Sequence, residues 1–132
     1  MLLEAKDAIA TLAVKDIGVA RKFYEGKLGL EPANEDGEPS TLTFKSGNTR
    51  IFVYESKYAG TNQATAVNFL VGDDVDRIVK DLKAKGVTFE HYDLPDTKRE
   101  GDVHVSGDLR LAWLKDPDGN ILALLNANPI PN

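Results

Sequence analysis

Two stretches of the chain place apolar residues at helical intervals. Ile17, Ala20, Tyr24 and Leu28 recur every three or four positions, with Phe23 widening the stripe. Val75, Ile78, Val79 and Leu82 repeat the pattern later in the chain. An aspartate precedes each stripe, Asp16 and Asp73, where a carboxylate can satisfy the unpaired N–H groups of a first helical turn. A glycine follows each aspartate by thirteen residues, Gly29 and Gly86, in the place of a left-handed cap. Each segment is therefore expected to be a helix bounded by that pair.

Around the helices the pattern shortens to strand-like runs. Residues 8–14 and 66–71 precede the two helices. Residues 40–45 and 49–54 follow the first, joined at Ser46-Gly47-Asn48, and 109–115 and 120–125 follow the second. The second joint, Asp116-Pro117-Asp118-Gly119, has the proline and glycine placement of a type I turn running into a bulge. Residues 87–92 predict one more short strand. Its counterpart would start near Leu30, where Pro32 and the polar run Asn34-Glu35-Asp36-Gly37 cut it short. Segment 93–107, rich in charge and glycine, is expected to be a lid or binding loop.

Strand, helix and three strands thus occur twice. The expected fold class is α+β, built from two tandem βαβββ modules within a single domain spanning 1–132. Module one covers about 1–60, module two about 61–128, and residues 129–132 form a loose tail.

Composition narrows the function. A chain of 132 residues suits one domain. No apolar run approaches the roughly 18 residues of a membrane span. The first residues lack the basic and apolar regions of a secretory signal, so the cytoplasm is the expected compartment. With no cysteine, disulfides, thiolate nucleophiles, zinc–thiolate sites and iron–sulfur clusters are excluded. The net charge of −5 and the scattered lysines, such as Lys80, Lys83 and Lys85, argue against a nucleic-acid partner.

Leu12-Ala13-Val14-Lys15-Asp16, Phe23-Tyr24 and Leu28-Gly29-Leu30 resemble the opening of the vicinal oxygen chelate superfamily, the glyoxalase, bleomycin-resistance and extradiol dioxygenase group. Trp113-Leu114-Lys115-Asp116-Pro117-Asp118-Gly119-Asn120 resembles its closing hairpin. The resemblance covers almost the whole chain. It implies paired βαβββ modules whose mixed sheets curl around a cavity, and in the metal enzymes four ligands on the first and last strands of each module. Carried onto this chain, those positions are Ile9, Ile51, Ala66 and Ala123. None can ligate a divalent ion. The resemblance therefore implies a metal-free, bleomycin-resistance-like member with no cofactor.

Alternation along the strands then extends the expected cavity lining. Ile9 brings Thr11 and Ala13; Ile51 brings Val53; Ala66 brings Asn68 and Leu70; Ala123 brings Ile121 and Leu125. By resemblance Trp113 also faces inward. Leu111 shares its face, and Thr41 and Thr43 are the counterparts in module one. Phe52, Tyr54, Phe69, Val71, Leu122 and Leu124 are expected under the helices with Leu12 and Val14.

The resulting lining is mostly apolar, with one large aromatic residue. It suits a small, largely hydrophobic aromatic molecule, such as an antibiotic or other natural product, captured without turnover by a homodimer. His104, beside the expected lid, joins the ligand-binding candidates. The alternative is a metal-independent isomerase, lyase or cyclase using His104 or His91 as acid or base. Lys98 and Arg99 could meet an anionic group at the mouth. No Ser–His–Asp set or phosphate loop is visible.

Overall fold

A computed structural model describes residues 2–33 and 40–127. The expected polar run at 34–37 and the tail at 129–132 lie outside the described residues. The chain divides into two compact units, Met1–Ala59 and Gly60–Asn132, and in each a mixed sheet packs against a helix.

In the first unit the order is β1 (Ala10–Val14), α1 (Ile17–Arg21), β2 (Glu31–Pro32), β3 (Thr41–Ser46) and β4 (Thr49–Glu55). Asp16 caps α1 as expected, its carboxylate accepting the Val19 N–H at 3.0 Å. The helix then widens into a π-helical segment, Lys22–Lys27, instead of continuing as α to Gly29. Gly29 takes the positive φ that ends it, 74°. The sheet runs β1-β4-β3-β2, with β1 parallel to β4 and the remaining pairs antiparallel. Tyr24 reaches from the helical segment to Phe44, ring centroids 6.0 Å apart, over a core containing Leu12, Val14, Leu42 and Val53.

The second unit holds β5 (Thr65–Leu70), α2 (Val75–Ala84), β6 (Phe89–Glu90), β7 (Lys98–Glu100), β8 (Val103–Ser106), β9 (Leu109–Lys115) and β10 (Ile121–Leu125). Asp73 does not cap α2. It lies in a 3-10 turn, Gly72–Asp74, which displaces the helix start by one residue. The sheet runs β5-β10-β9-β8-β7, with β6 pairing another stretch of β9. The Asp116 hairpin closes as expected. Asp116 accepts the N–H groups of Asp118 and Asn120, and Gly119 takes φ 92°.

Segment 93–107 is not a free lid. It contains the β7–β8 hairpin, which extends the sheet beyond β9. Two ion-pair clusters pin it. Asp102, in the turn between β7 and β8, binds Lys83 of α2 at 2.7 Å. Arg110 of β9 grips Asp76 of α2 with two hydrogen bonds, at 2.8 and 3.2 Å, and reaches Glu100 of β7 at 3.2 Å.

Candidate functional site

Register decides which side chains share a face, because residues directly opposite across a strand pair point the same way. In the first unit Thr11 and Thr43 lie opposite Phe52, and Ala13 and Thr41 lie beside Tyr54. These residues form the face away from α1. Phe52 and Tyr54 stack there with centroids 6.2 Å apart. Ile9 precedes β1 and is 56% exposed. Ile51 and Val53 belong to the other face. They pair with Phe44 and Leu42 and are buried in the helix-side core. Their expected place in the lining, and the expected burial of Phe52 and Tyr54 under the helix, are therefore corrected by one residue. The physical cause is the tight hairpin. Ser46 pairs directly with Thr49 across Gly47-Asn48, whereas Lys115 and Ile121 are separated by five residues in the second unit. Positions counted from the turn glycine consequently do not superpose.

In the second unit the expected parity holds. Ala123 sits opposite Trp113 on one side and Asn68 on the other; Leu125 is likewise flanked by Leu111 and Leu70. Leu111, Ala123 and Leu125 form a buried cluster against which Leu109 and Trp113 pack, and Ile121 is buried too. Ala66 and Asn68 are exposed. His104 lies opposite Leu111, so it shares the Trp113 face.

Trp113 is held from several sides. Tyr92 and His104 meet its ring edge-on, with centroids at 5.0 and 4.8 Å and interplanar angles of 79° and 80°. The indole N–H donates to the Thr65 hydroxyl at 3.2 Å. Simple alternation from Ala66 would turn Thr65 away. A register irregularity between Ile121 and Leu122 sets Thr65 opposite Ile121 and brings it to the indole. Glu90, the register partner of Trp113, is tied to Lys115 at 3.2 Å.

The two histidines differ sharply. His104 is wholly buried on β8. Its Nε2 accepts the Tyr92 backbone N–H at 3.0 Å, and its Nδ1 has no hydrogen-bond partner. Burial lowers its pKa below the ordinary imidazole range, although the Leu111 backbone opposes this; nearby His91 and Arg99 lower it further. His91 follows β6 and is partly exposed. Its Nε2 lies 2.7 Å from Asp102 Oδ1. Lys83 and His91 together hold the Asp102 carboxyl below the usual carboxylate range. This arrangement depends on the fold: Asp102 reaches His91 only because the exposed segment Lys98–Glu100 pairs with β8 and turns there.

A cavity of about 200 Å³ opens beside His104, lined by Tyr92, Asp93, Leu94, Thr97, Lys98, Arg99 and His104. Tyr92 and His104 thus serve both this cavity and the wall around Trp113.

The chain does not fit a divalent ion at the positions the resemblance assigns to ligands. Ile9, Ile51, Ala66 and Ala123 offer no donor side chain, and replacing Ile51 by its neighbour on the open face, Phe52, adds none. Among the described residues no group of three or more His, Cys, Asp or Glu is arranged to hold a metal. No helix among them is long and apolar enough to cross a membrane.

Known proteins place this geometry. The fosfomycin resistance protein FosX from Listeria monocytogenes is similar in structure, with a TM-score of 0.69 at 19% identity, over 97% of this chain and 95% of that one. FosX from Mesorhizobium loti gives 0.68 at 13% identity, over 95% and 94%. An integron cassette protein from the mobile metagenome of the Halifax Harbour sewage outfall gives 0.68 at 19% identity, over 92% and 99%. No curated protein matches the sequence at a significant level. These identities speak for the fold. The family model described as "Glyoxalase/Bleomycin resistance protein/Dioxygenase superfamily" matches residues 7–124, nearly the whole chain, and the protein belongs to that superfamily.

Proposed function

We propose that the protein captures a small, largely hydrophobic aromatic molecule on the Trp113 face of its second sheet, without a metal ion and without turnover. The observation that carries this reading is the fixation of Trp113. An indole gripped edge-on by Tyr92 and His104, with its N–H held by Thr65, is a preset wall on which a planar ligand can stack. Leu111, Ala123 and Ile121 give that face an apolar floor, and Asn68 supplies an amide for orientation. In the first unit, Thr11, Thr41 and Thr43 with Phe52 and Tyr54 make a face of similar chemistry. His104 supports capture over catalysis: its Nε2 is engaged by Tyr92 and the whole ring is buried. An antibiotic is one candidate ligand, since fosfomycin resistance proteins share the fold.

One observation favours a second reading. The His91–Asp102 pair, at 2.7 Å, is the arrangement that orients an imidazole for acid–base work. A metal-independent isomerase, lyase or cyclase would use His91.

The test uses the single tryptophan, whose indole N–H gives one resonance in a nitrogen–proton correlation spectrum. Planar aromatics that bind at the wall should shift it. Trp113→Ala should weaken binding by about 1–3 kcal/mol, while Trp113→Phe, which keeps an aromatic face, should weaken it less. Wild-type affinity in both variants, each still folded, would remove Trp113 from the site. Product formation detected by mass spectrometry, and abolished in His91→Gln, would favour the enzyme.

A further inference from the structure

We infer that His104 is a titratable latch: its neutral imidazole holds the strap 92–97, between β6 and β7, against the second sheet, and its protonation frees the strap, drawing Tyr92 away from Trp113 while the rest of the unit stays folded. The latch works without a ligand and so stands apart from the capture reading.

The strap has little else to hold it. Among the described residues, the bond from the Tyr92 N–H to His104 Nε2, 3.0 Å, is the one hydrogen bond from 92–97 to the rest of the unit. The Thr97 hydroxyl donates to the Pro95 carbonyl, within the strap itself. Packing beneath is open: Tyr92, Asp93, Leu94 and Thr97 line a cavity of about 200 Å³ with Arg99 and His104. Both flanks are anchored, His91 to Asp102 at 2.7 Å and β7 to β8 by pairing, so motion is confined to the span between them. Lys83 and His91 hold the Asp102 carboxyl below the usual carboxylate range, so that anchor persists in mild acid.

Protonation undoes the tie for two reasons. Nε2 accepts from Tyr92, and an imidazolium carries a hydrogen on both nitrogens, so two donors would face each other. The new cation would also be buried, since His104 has no exposed surface. Its surroundings add to the cost. On the same face Arg99 stands directly opposite on β7, and the His91 ring is 6.5 Å away. β9 presents Leu111 and Trp113, neither of which titrates in this range, and the Glu90–Lys115 pair beyond Trp113 is internally neutral. Asp93 is the one carboxylate of the cavity lining. α2 packs on the opposite face, where Arg110 holds Asp76. Burial above all, with His91 and Arg99 adding to it and the Leu111 backbone opposing, holds the imidazole below its ordinary 6.5. The latch is therefore shut at neutral pH. Opening admits water to the imidazolium and relieves both penalties.

The test follows nitrogen-15-labelled protein by NMR from pH 7.5 to 4.5. The His104 ring nitrogens report its charge, and hydrogen exchange at the Tyr92 amide, corrected for its intrinsic pH dependence, reports the latch. As His104 charges, protection of the Tyr92 amide should fall by about tenfold or more, while amides of β9 and β10 keep theirs. Nuclear Overhauser contacts between the Tyr92 and Trp113 rings should fade over the same window. His104→Gln offers an oxygen that can accept the Tyr92 N–H and does not titrate, so its Tyr92 protection should stay level with pH. Were that variant unable to fold, Arg99→Gln carries the test: losing a neighbouring cation should move the His104 titration and the opening to higher pH together. Three results would overturn the latch. Tyr92 protection could stay level while His104 charges. Opening could occur in His104→Gln as in wild type, or part from the His104 titration in Arg99→Gln. His104 could stay neutral until β9 and β10 lose protection with it, which would make its titration part of global unfolding.

Discussion

The backbone N–H of Tyr92 donates to Nε2 of His104 at 3.0 Å, and this bond fixes the state of the imidazole. A nitrogen that accepts must be unprotonated, so the neutral ring carries its proton on Nδ1. Because burial lowers the folded pKa, the unfolded chain takes up a proton first as pH falls. The stabilisation is therefore complete above the ordinary imidazole value of 6.5 and is lost as pH falls from there through the lower folded value. Thermal unfolding should show a falling Tm between about pH 7 and 5. His104→Gln should be less stable at pH 7, by about 1–3 kcal/mol, with a flatter Tm profile in that window. Imidazole nitrogen shifts that report a charged His104 at pH 6.5 would contradict this.

The face assignment in the first unit has a direct consequence for stability. Ile51 is 2% exposed beside Phe44, so Ile51→Ala should cost about 2–5 kcal/mol in urea unfolding. Phe52 lies on the open face, only half-buried, and Phe52→Ala should cost roughly 1–2 kcal/mol. The reverse order would restore the parity expected from counting along the sequence.

That reversal marks the limit of what periodicity conveys. Leu12, Val14, Tyr24, Val75, Val79 and Leu82 are core residues that their spacing identified, because burial itself imposes the period. Asp16 was legible as a cap because capping is local chemistry. Face assignment across strands is not local. A two-residue connection at Gly47-Asn48 and an irregularity beside Ile121 each shift alignment by one position, which was enough to exchange Val53 with Phe52 and to hide Thr65. The β7–β8 hairpin is not legible in the sequence for a related reason. Lys98-Arg99-Glu100 is exposed throughout and carries no apolar alternation, so only pairing with β8 makes it a strand. Trp113 was legible through family resemblance; its partners Tyr92 and His104 required the fold.

Asp102 ties the hairpin to the helix, and its removal should be felt there. Asp102→Asn retains size but loses the charge that Lys83 and His91 both approach to 2.7 Å. A loss of about 1–2 kcal/mol is expected at pH 7, with amides of β7 and β8 exchanging faster than those of β9 and β10. The Asp102 pKa is lowered in the fold, so its contribution is present above the ordinary value of 3.8 and lost as pH falls through the lower folded value.

Association follows from apolar exposure. Ile9 at 56%, Tyr58 at 67% and Leu70 at 57% are large apolar or aromatic side chains left in contact with solvent. A homodimer burying more than about 1,000 Å² in total is expected. Light scattering at micromolar concentration should give twice the chain mass of 14.4 kDa, and a monomer there would count against the dimer.

Metal independence can be tested without reference to turnover. A retained divalent ion needs several donors converging at bonding distance, and Ile9, Ala66 and Ala123 supply none, with either Ile51 or Phe52 as the fourth position. Purified, untagged protein should carry less than about 0.1 equivalent of zinc, nickel, iron or manganese. Equimolar Mn²⁺, which broadens nearby resonances, should leave the Trp113 indole signal sharp, and a chelator should leave the affinity for planar aromatics unchanged. Stoichiometric metal whose removal abolishes binding would mean that side chains outside these four positions assemble a site, and the capture reading would have to be rebuilt around that ion.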